Sequence, residues 1–218
     1  MKLFRLSLVI FSFLSLGVRA QFDTNSNKLS VPTGKAITEP RIDNVKGNPN
    51  MFKDWSKGSV SLAGETGSYT NLDLMYDQVK DKLYFKSGAD KLEFTKPVRA
   101  FTIAEGSAIH TFKSGFPGIE KNDQYTMYEV LTDGNIKLLK KVTKDIITTK
   151  GYNEVTEMRF DSRIKYYVLD GQTIYEIKPN KKGVAAAIAE KGLKATEQFN
   201  ANLPLKNEAD LVAFFTKL

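Results

Sequence analysis

Short segments in which apolar and polar residues alternate, each ended by turn residues, recur along the middle of this 218-residue chain. Between Leu72 and Asp77, for example, neighbouring residues point to opposite faces, as they do in a strand. Segments of this kind, with a turn signal about every 8–12 residues, are typical of an antiparallel meander. The pattern predicts strands at residues 60–62, 72–76, 83–85, 92–94 and 98–103.

Two later hairpins are marked by the turn dipeptides Asp133-Gly134 and Asp170-Gly171. Asp-Gly suits such turns because their central positions need a positive φ, which Gly adopts freely. Both turns follow a Val-Leu pair, and we interpret them as two hairpins of one sheet rather than as an internal repeat. The predicted strands are 128–131 and 136–139 around the first turn, and 166–169 and 173–177 around the second.

The composition becomes that of helices after Pro179. Residues 184–190 are rich in Ala, Gly192 interrupts them, and residues 193–200 continue the helical composition. Pro204 then forces a turn. The sequence therefore predicts two helical segments before Pro204.

A last helix is predicted after Asn207, whose side chain can cap it. Asp210 stands three residues on, where a capping box usually has Glu or Gln. The apolar residues that follow fall at i, i+3, i+4 and i+7 and so form one face: Leu211, Phe214, Phe215 and Leu218. We expect this face to cover the open face of the sheet.

These elements predict a mainly β fold, with an antiparallel meander sheet or an open, barrel-like β domain and a C-terminal helical cap. The expected organisation has four parts. Residues 1–20 are a signal peptide, 21–45 a polar and loosely ordered lead segment, 46–178 the antiparallel β region, and 179–218 helices that pack on it within one domain.

The first 20 residues have the features of a cleavable secretory signal. Lys2 and Arg5 give a positive start, residues 6–16 form an apolar run, and cleavage is predicted between Ala20 and Gln21. The alternative is a membrane anchor, but a run of about 11 residues is shorter than the roughly 20 that span a bilayer. Because position 21 is not Cys, lipid attachment there is excluded. We expect export to the periplasm, the cell envelope or the medium, with no membrane span after cleavage.

Charge and cysteine content limit the function classes. Removal of residues 1–20 takes away three cations and no acid, so the formal net charge falls from +7 to +4. That excess is too small to indicate nucleic-acid binding, and export argues against such a role as well. The chain has no Cys, which excludes disulfides, thiol catalysis and thiolate metal sites. A chain of this length can bury a sufficient core without them.

His110 is the only histidine, and it lies in a segment with the composition of a strand. One His cannot form the usual zinc site of several His and Cys ligands. A Ser-His-Asp triad would have to use His110, and no Gly-x-Ser-x-Gly elbow is present to support one. We interpret His110 as a surface or structural residue, and we predict no catalytic residue and no metal site.

Asp73, Asp77 and Asp81 recur every four residues. On a helix they would share a face and suggest a metal site, but the residues around them predict a strand and a turn. Loop carboxylates suit calcium, yet no twelve-residue calcium loop is present, so we expect solvated turn acids and no cofactor. No phosphate-binding Gly loop is found either. A carboxylate pair for glycoside hydrolysis cannot be located among the 25 acids.

Aromatic residues are frequent and include Trp55 and nine tyrosines. They could form a platform for a sugar or a peptide, but strands favour aromatic residues for cross-strand packing alone, and packing is what we expect. The basic pairs Lys140-Lys141 and Lys181-Lys182 are expected to be solvated ends of elements, with contact to an anionic surface as the alternative.

Residues 47–60, which read GNPNMFKDWSKGSV, resemble the opening of a group of uncharacterised exported proteins of the Bacteroidetes. That group has Gly-x-Pro, then an aromatic residue, then Gly-x-Val; it tends to have Tyr-Leu where this chain has residues 50–52. The resemblance implies a periplasmic or envelope β domain and no particular activity or site residue. It extends over residues 47–218 and is carried further by LDLMYD at 72–77, KLYF at 82–85, YEVLTDG at 128–134, LLKK at 138–141 and KYY at 165–167.

Two function classes remain. The first is a non-enzymatic binding or structural module of the envelope, whose partner is an envelope protein, a lipid or a glycan. The second is a hydrolase that acts on a glycan or a peptide with Asp or Glu chemistry. The single His and the absence of Cys and of nucleophile motifs favour the first class. A cleft that holds two carboxylates of raised pKa would favour the second.

Overall fold

The computed structural model describes residues 28–29, 31–37, 44–150, 156–191 and 205–218. The predicted signal peptide, its cleavage site at Ala20 and Gln21, and the predicted helix at 193–200 lie outside the described residues. Within the described residues, thirteen strands form one open sheet and two helices follow them. The protein is therefore mainly β with a C-terminal helical part, as the sequence predicts.

The strands of the first half of the sheet are β1 Lys28–Leu29, β2 Gly34–Ala36, β3 Val45–Lys46, β4 Ser56–Leu62, β5 Ser68–Asp77, β6 Lys82–Ser87 and β7 Asp90–Phe94. The remaining elements are β8 Val98–Glu105, β9 Ala108–Lys113, β10 Tyr128–Asp133, β11 Ile136–Lys150, β12 Thr156–Asp170, β13 Thr173–Ile177, α1 Lys181–Lys191 and α2 Glu208–Phe215. Each predicted strand and both Asp-Gly hairpins are confirmed.

The sheet is a meander with one interruption. β4 to β7 follow one another in space, and β8 to β13 do the same, but β8 pairs with the free edge of β4 instead of with β7. The outer edge of β7 is taken by β2. The second half of the meander thus extends the sheet in the opposite direction, from β4.

The described residues of the lead segment form short strands. Its described part contributes β1, β2 and β3, which pair with β5, β7 and β12 respectively. The loosely ordered lead segment at residues 21–45 stays a prediction. Edge strands leave backbone N–H and C=O groups unpaired, so a short extended segment can add to them whatever the polarity of its side chains.

β11 and β12 are much longer than predicted. They pair without interruption from Ile136 and Asp170 to Lys150 and Thr156, whereas the sequence pattern predicts only 136–139 and 166–169. Their distal halves carry mixed polar and apolar residues on both faces, so no clean alternation marks them. This pair of strands is the longest element of the fold.

Three apolar clusters stabilise the sheet. The first lies on β4 to β9 and is largely aromatic, and the second joins β11, β12 and β13 to both helices. The third lies on the other face of β10 to β12, since Leu138 belongs to the second cluster and its neighbour Leu139 to the third. Phe116, from the segment between β9 and β10, covers this third cluster. A large side chain fully buried in this way contributes about 1.5–3 kcal/mol.

The last helix has the cap and the apolar face that the sequence predicts. The Asn207 side chain accepts a hydrogen bond of 2.9 Å from the Asp210 N–H. Asp210 in turn accepts 2.9 Å from the Lys206 N–H, so the reciprocal bond reaches one residue before the cap. The apolar residues of the last helix and of the chain after it pack in the second cluster, on the face of the sheet. They are Leu211, Phe214, Phe215 and, half-buried, Leu218.

Replacement of the cap tests this local assignment. We expect Asn207→Ala to lower the free energy of unfolding by about 1 kcal/mol, because the Asp210 N–H loses its partner. Asn207→Asp keeps an acceptor at the same place and should unfold like the wild type. Urea unfolding measures both, and equal stability of the Ala and Asp variants would contradict the cap.

Candidate functional site

A cleft of about 550 Å³ lies where residues 120–122 and the turn after β5 face strands β11 and β12. We call it the basic cleft, because five cations line it and only two acids do. The cations are Lys121, Lys141, Lys144, Arg163 and Lys165, and the acids are Glu120 and Asp145. Val79, Asn122, Thr143 and Tyr167 complete its lining.

The register of β11 and β12 brings most of these side chains to one face. Lys141 pairs with Lys165, and Thr143 pairs with Arg163. Partners in an antiparallel pair share a face, as do alternate residues along each strand. Lys141 of β11 and the Arg163 and Lys165 cations of β12 therefore share one face with Tyr167, whereas the side chain of Lys144 is out of phase with them and leaves β11 on the opposite face.

Lys141 forms the floor of the cleft and is only 5% exposed. Its Nζ lies 2.6 Å from Asp81 Oδ2 and 3.4 Å from the Tyr76 hydroxyl. Asp81 also accepts hydrogen bonds from the Tyr76 hydroxyl and from the Met127 N–H. Burial lowers the pKa of Lys141 below its usual value, and Asp81 opposes this only in part.

Lys144 is held by carbonyl groups. Its Nζ donates to the carbonyls of Asn48 and Asn50, and its backbone N–H donates to the carbonyl of Gln78. Burial lowers the pKa of Lys144, while the charge of Asp77 opposes the shift. Two cations of the basic cleft are thus partly desolvated without full compensation by a carboxylate.

The rim of the cleft is more exposed. Lys165 lies 2.9 Å from Glu120 and 2.6 Å from Glu176, and Arg163 pairs with Asp145. Lys121 is exposed and has no ion pair within the part of the chain that the structure describes. Surface pairs of this kind are weak, so the rim cations remain available to an incoming anion.

The expectation for Lys140 and Lys141 is wrong. Both lie in the interior of β11, and neither is a solvated end. The sequence did contain a signal for the burial of these two lysines. Lys141 is in phase with the buried Leu139, and Lys140 is in phase with the buried Leu138. Lys181 and Lys182 do stand at the start of α1, as expected.

A second polar cluster lies on the opposite face of β11 and bridges the sheet to α2. Lys140 Nζ is 3.5 Å from Glu129 and 2.9 Å from Glu208, whose carboxylate accepts 2.6 Å from the Tyr166 hydroxyl. His110 belongs to the same cluster through its hydrogen bond with Glu129. Because its members satisfy one another, this cluster positions α2 and leaves little to bind a ligand.

His110 is a structural residue of that second cluster. Its Nδ1 lies 2.6 Å from Glu129 Oε1 and its Nε2 lies 3.1 Å from Glu105 Oε2. Burial lowers the pKa of His110, but the hydrogen bonds and charges of Glu129 and Glu105 outweigh it and raise the pKa above its ordinary value.

We expect the protein to lose stability relative to His110→Gln as the pH rises. The folded-state pKa of His110 exceeds its ordinary value of 6.5, so its contribution is complete below about pH 6.5 and is lost as the pH rises through the folded-state pKa. Urea unfolding of both proteins between about pH 5 and pH 8 measures the difference. Parallel stability profiles would contradict the ionised pairs of His110.

The three spaced aspartates have separate roles. Asp73 pairs with Lys57 on the surface, at 2.8 Å. Asp77 is buried and accepts the N–H groups of Val79 and Lys80 in the turn after β5. With Asp81 paired to Lys141, the expectation of solvated turn acids is wrong for Asp77 and Asp81. Among the described residues, no group of three or more His, Asp or Glu is placed to hold a metal ion.

Aromatic residues serve packing, as expected from cross-strand pairing. Tyr128 and Tyr167 are buried with ring centroids 5.3 Å apart, and Phe101 stacks on Phe112 at 4.5 Å. Tyr125 is an exception, since it is exposed beside the cleft-lining segment. No exposed aromatic platform of several rings is formed by the described residues.

No family model matches the chain, and no curated protein or solved structure matches it either. In the described residues, no helix has the length and apolar character needed to cross a bilayer.

Proposed function

We propose that this protein is an exported, non-enzymatic binding module that holds an anionic partner in the basic cleft. One observation carries the proposal: five cations and only two acids line a cleft of about 550 Å³. Asp81 and Glu176 pair with Lys141 and Lys165 from outside this lining, and the net positive charge that remains in the concave site attracts ligands of the opposite charge.

The burial of Lys141 supports an anionic ligand. A cation withdrawn from water is costly unless an opposite charge or hydrogen-bond acceptors compensate it. Asp81 compensates Lys141 from beneath, and the carbonyls of residues 48 and 50 compensate Lys144. A carboxylate or phosphate entering from the open side would add charge-assisted hydrogen bonds to Lys141 and to the rim cations on its face.

Hydrolysis by paired carboxylates has less support. A general acid of a glycosidase needs a raised pKa, whereas hydrogen bonds from neighbouring lysine and tyrosine side chains lower the pKa of Glu65, Glu93, Asp133 and Glu208. The two acids of the basic cleft are paired with Lys165 and Arg163. These observations favour binding over catalysis.

Export belongs to the proposal on the strength of residues 1–20. The site of action is then the periplasm, the cell envelope or the medium. The partner is an envelope protein, a lipid or a glycan that carries negative charge, since neutral ligands would gain little from the cations of the cleft.

Reversal of rim charges tests the proposal. Titration calorimetry of the purified protein with octaglutamate and with octagalacturonate should detect binding of at least one, weakened by added salt. Lys121→Glu combined with Arg163→Glu should weaken that binding about tenfold or more. The buried Lys141 is left unchanged, because its replacement could prevent folding.

Lys53→Glu combined with Lys86→Glu is the matched control. It changes the net charge by the same amount on exposed residues that do not line the cleft, and it should bind like the wild type. Equal loss in both double variants would mean that only net charge matters. That result, or no binding of either anion, would contradict the proposal.

A further inference from the structure

Tyr125 lines two neighbouring cavities outside the basic cleft. The larger cavity has a volume of about 370 Å³ and the smaller one a volume of about 190 Å³. Pro97 and Val98 also line both, so the two cavities adjoin along these three residues. We call the pair of cavities the Tyr125 groove. Because Tyr125 is 61% exposed, the groove carries an aromatic ring that solvent reaches.

The turn that carries Tyr125 is held by hydrogen bonds of its own. Asp123 Oδ1 accepts from the Tyr125 N–H at 2.9 Å and from the Thr126 N–H at 3.1 Å. The Thr126 hydroxyl oxygen accepts from the Asp123 N–H at 3.0 Å. The Gln124 carbonyl accepts from the Gly115 N–H at 2.8 Å. The ring is therefore presented on a preorganised turn, and binding through it costs little conformational entropy.

The segment that leads into β8 is fixed as well. The Pro97 carbonyl accepts from the Ala63 N–H at 2.9 Å. The Val98 carbonyl accepts from the Ser114 hydroxyl at 3.0 Å. Both segments that line the groove thus have a set geometry before any ligand arrives, as small-ligand sites usually do.

The larger cavity combines an apolar floor with charged groups. Leu83, Phe94 and Met127 line it and are each at most 6% exposed. Its charged lining residues are Lys35, Asp81, Lys82, Glu93 and Lys96. A cavity of this mixed lining suits a ligand that presents carbon on one side and hydrogen-bonding groups on the other.

The charged groups of the larger cavity have ionic partners. Glu93 lies 2.7 Å from Lys82 and 3.6 Å from Lys35, and Lys96 lies 2.9 Å from Glu65. A charged ligand would compete with these pairs for the same groups. Hydroxyl groups would not, because a paired carboxylate can still accept a hydrogen bond and a paired ammonium can still donate one.

The remaining charges of the groove do not select an ion either. Asp81 pairs with Lys141, at the point where the larger cavity adjoins the basic cleft. Two cations remain in excess, and both are largely exposed: Lys35, whose side chain is 63% exposed, and Arg99, which lines the smaller cavity. Water and salt screen such charges. A wholly apolar ligand is disfavoured too, since it would cover charged groups without replacing their water.

We propose that the Tyr125 groove binds an uncharged saccharide of roughly two or three hexose units. A hexose ring has a face of C–H groups, which packs on an aromatic ring, and hydroxyl groups that donate and accept hydrogen bonds. The larger cavity is near the lower end of the roughly 300–1,000 Å³ typical of small-ligand sites. We therefore assign one ring to it and the next to Tyr125 and the smaller cavity. This inference goes beyond the proposed function, because Tyr125 does not line the basic cleft.

Calorimetric titration of the purified protein with cellotriose, maltotriose and triacetylchitotriose tests the inference. At least one should bind, with an affinity that added salt leaves unchanged because the ligand has no charge. Tyr125→Ala should weaken that binding about tenfold or more, whereas Tyr125→Phe keeps the ring and should bind like the wild type. Ile109→Ala is the matched control, since Ile109 is 63% exposed and lines neither cavity.

Two further titrations separate this groove from the basic cleft. Lys121→Glu combined with Arg163→Glu should bind the trisaccharide like the wild type, and Tyr125→Ala should bind octagalacturonate like the wild type. Unchanged trisaccharide binding by Tyr125→Ala, or no binding of any of the three sugars, overturns the saccharide site and leaves the proposed function standing. Loss of trisaccharide binding in the charge-reversed double variant would place the sugar in the basic cleft and overturn the groove as its site.

Discussion

Asp81→Ala should lower the free energy of unfolding by about 3 kcal/mol or more. Removal of this carboxylate leaves Lys141 as a buried cation without its counter-charge. It also deprives the Tyr76 hydroxyl and the Met127 N–H of their acceptor. Loss of one partner from a buried pair is costly because the remaining charge stays desolvated.

Asp73→Ala is the matched control for that change. Asp73 is also an Asp paired with a Lys, at 2.8 Å from Lys57, but both side chains are exposed. Surface pairs contribute about 0–1 kcal/mol, so urea unfolding should separate the two variants clearly. If Asp81→Ala lowered the free energy of unfolding as little as Asp73→Ala, water would be compensating the charge of Lys141. That result would contradict the claim that Lys141 is buried at the floor of the basic cleft.

Phe215→Ala should cost about 3–5 kcal/mol. Phe215 is 1% exposed in the cluster between α2 and the sheet, and its ring lies 5.2 Å from that of Phe214. Truncation removes apolar contacts and leaves a cavity that the short helix cannot fill. The last helix would then lose its main attachment to β11 and β10.

Lys217→Ala provides the comparison, because Lys217 is exposed two residues farther on. It should change stability by less than about 0.5 kcal/mol. Thermal unfolding of both variants measures the difference. Near-equal melting temperatures would show that α2 does not cover the sheet as a packed element.

The fold was largely predictable where burial follows a simple period. Strand alternation located β4 to β8, the Asp-Gly pairs located two hairpin turns, and Asn207 with its apolar residues located α2. The distal parts of β11 and β12 could not be predicted, because partial exposure of both faces removes the period of two. The pairing of β8 with β4 could not be predicted from the sequence either, since a local pattern does not say which strand edge another strand joins.

The basic cleft could not be located from the sequence. Its floor joins Lys141 to Asp81 and Tyr76, residues that a sequence-local pattern cannot relate. Lys140 and Lys141 differ by one position yet face opposite sides of β11, where one meets Glu208 and the other Asp81. Charge alone suggests solvent for both, and only the phase with buried Leu138 and Leu139 indicates otherwise.

Amide chemical-shift mapping of the nitrogen-15-labelled protein tests the central claim most directly. Octaglutamate and octagalacturonate are titrated in turn, and the shifted amides are placed on the structure. Binding in the basic cleft predicts the largest changes at Asn122, Thr143, Lys144, Arg163 and Tyr167. Changes confined to other surfaces, or none with either anion, would contradict an anion-binding role for the cleft.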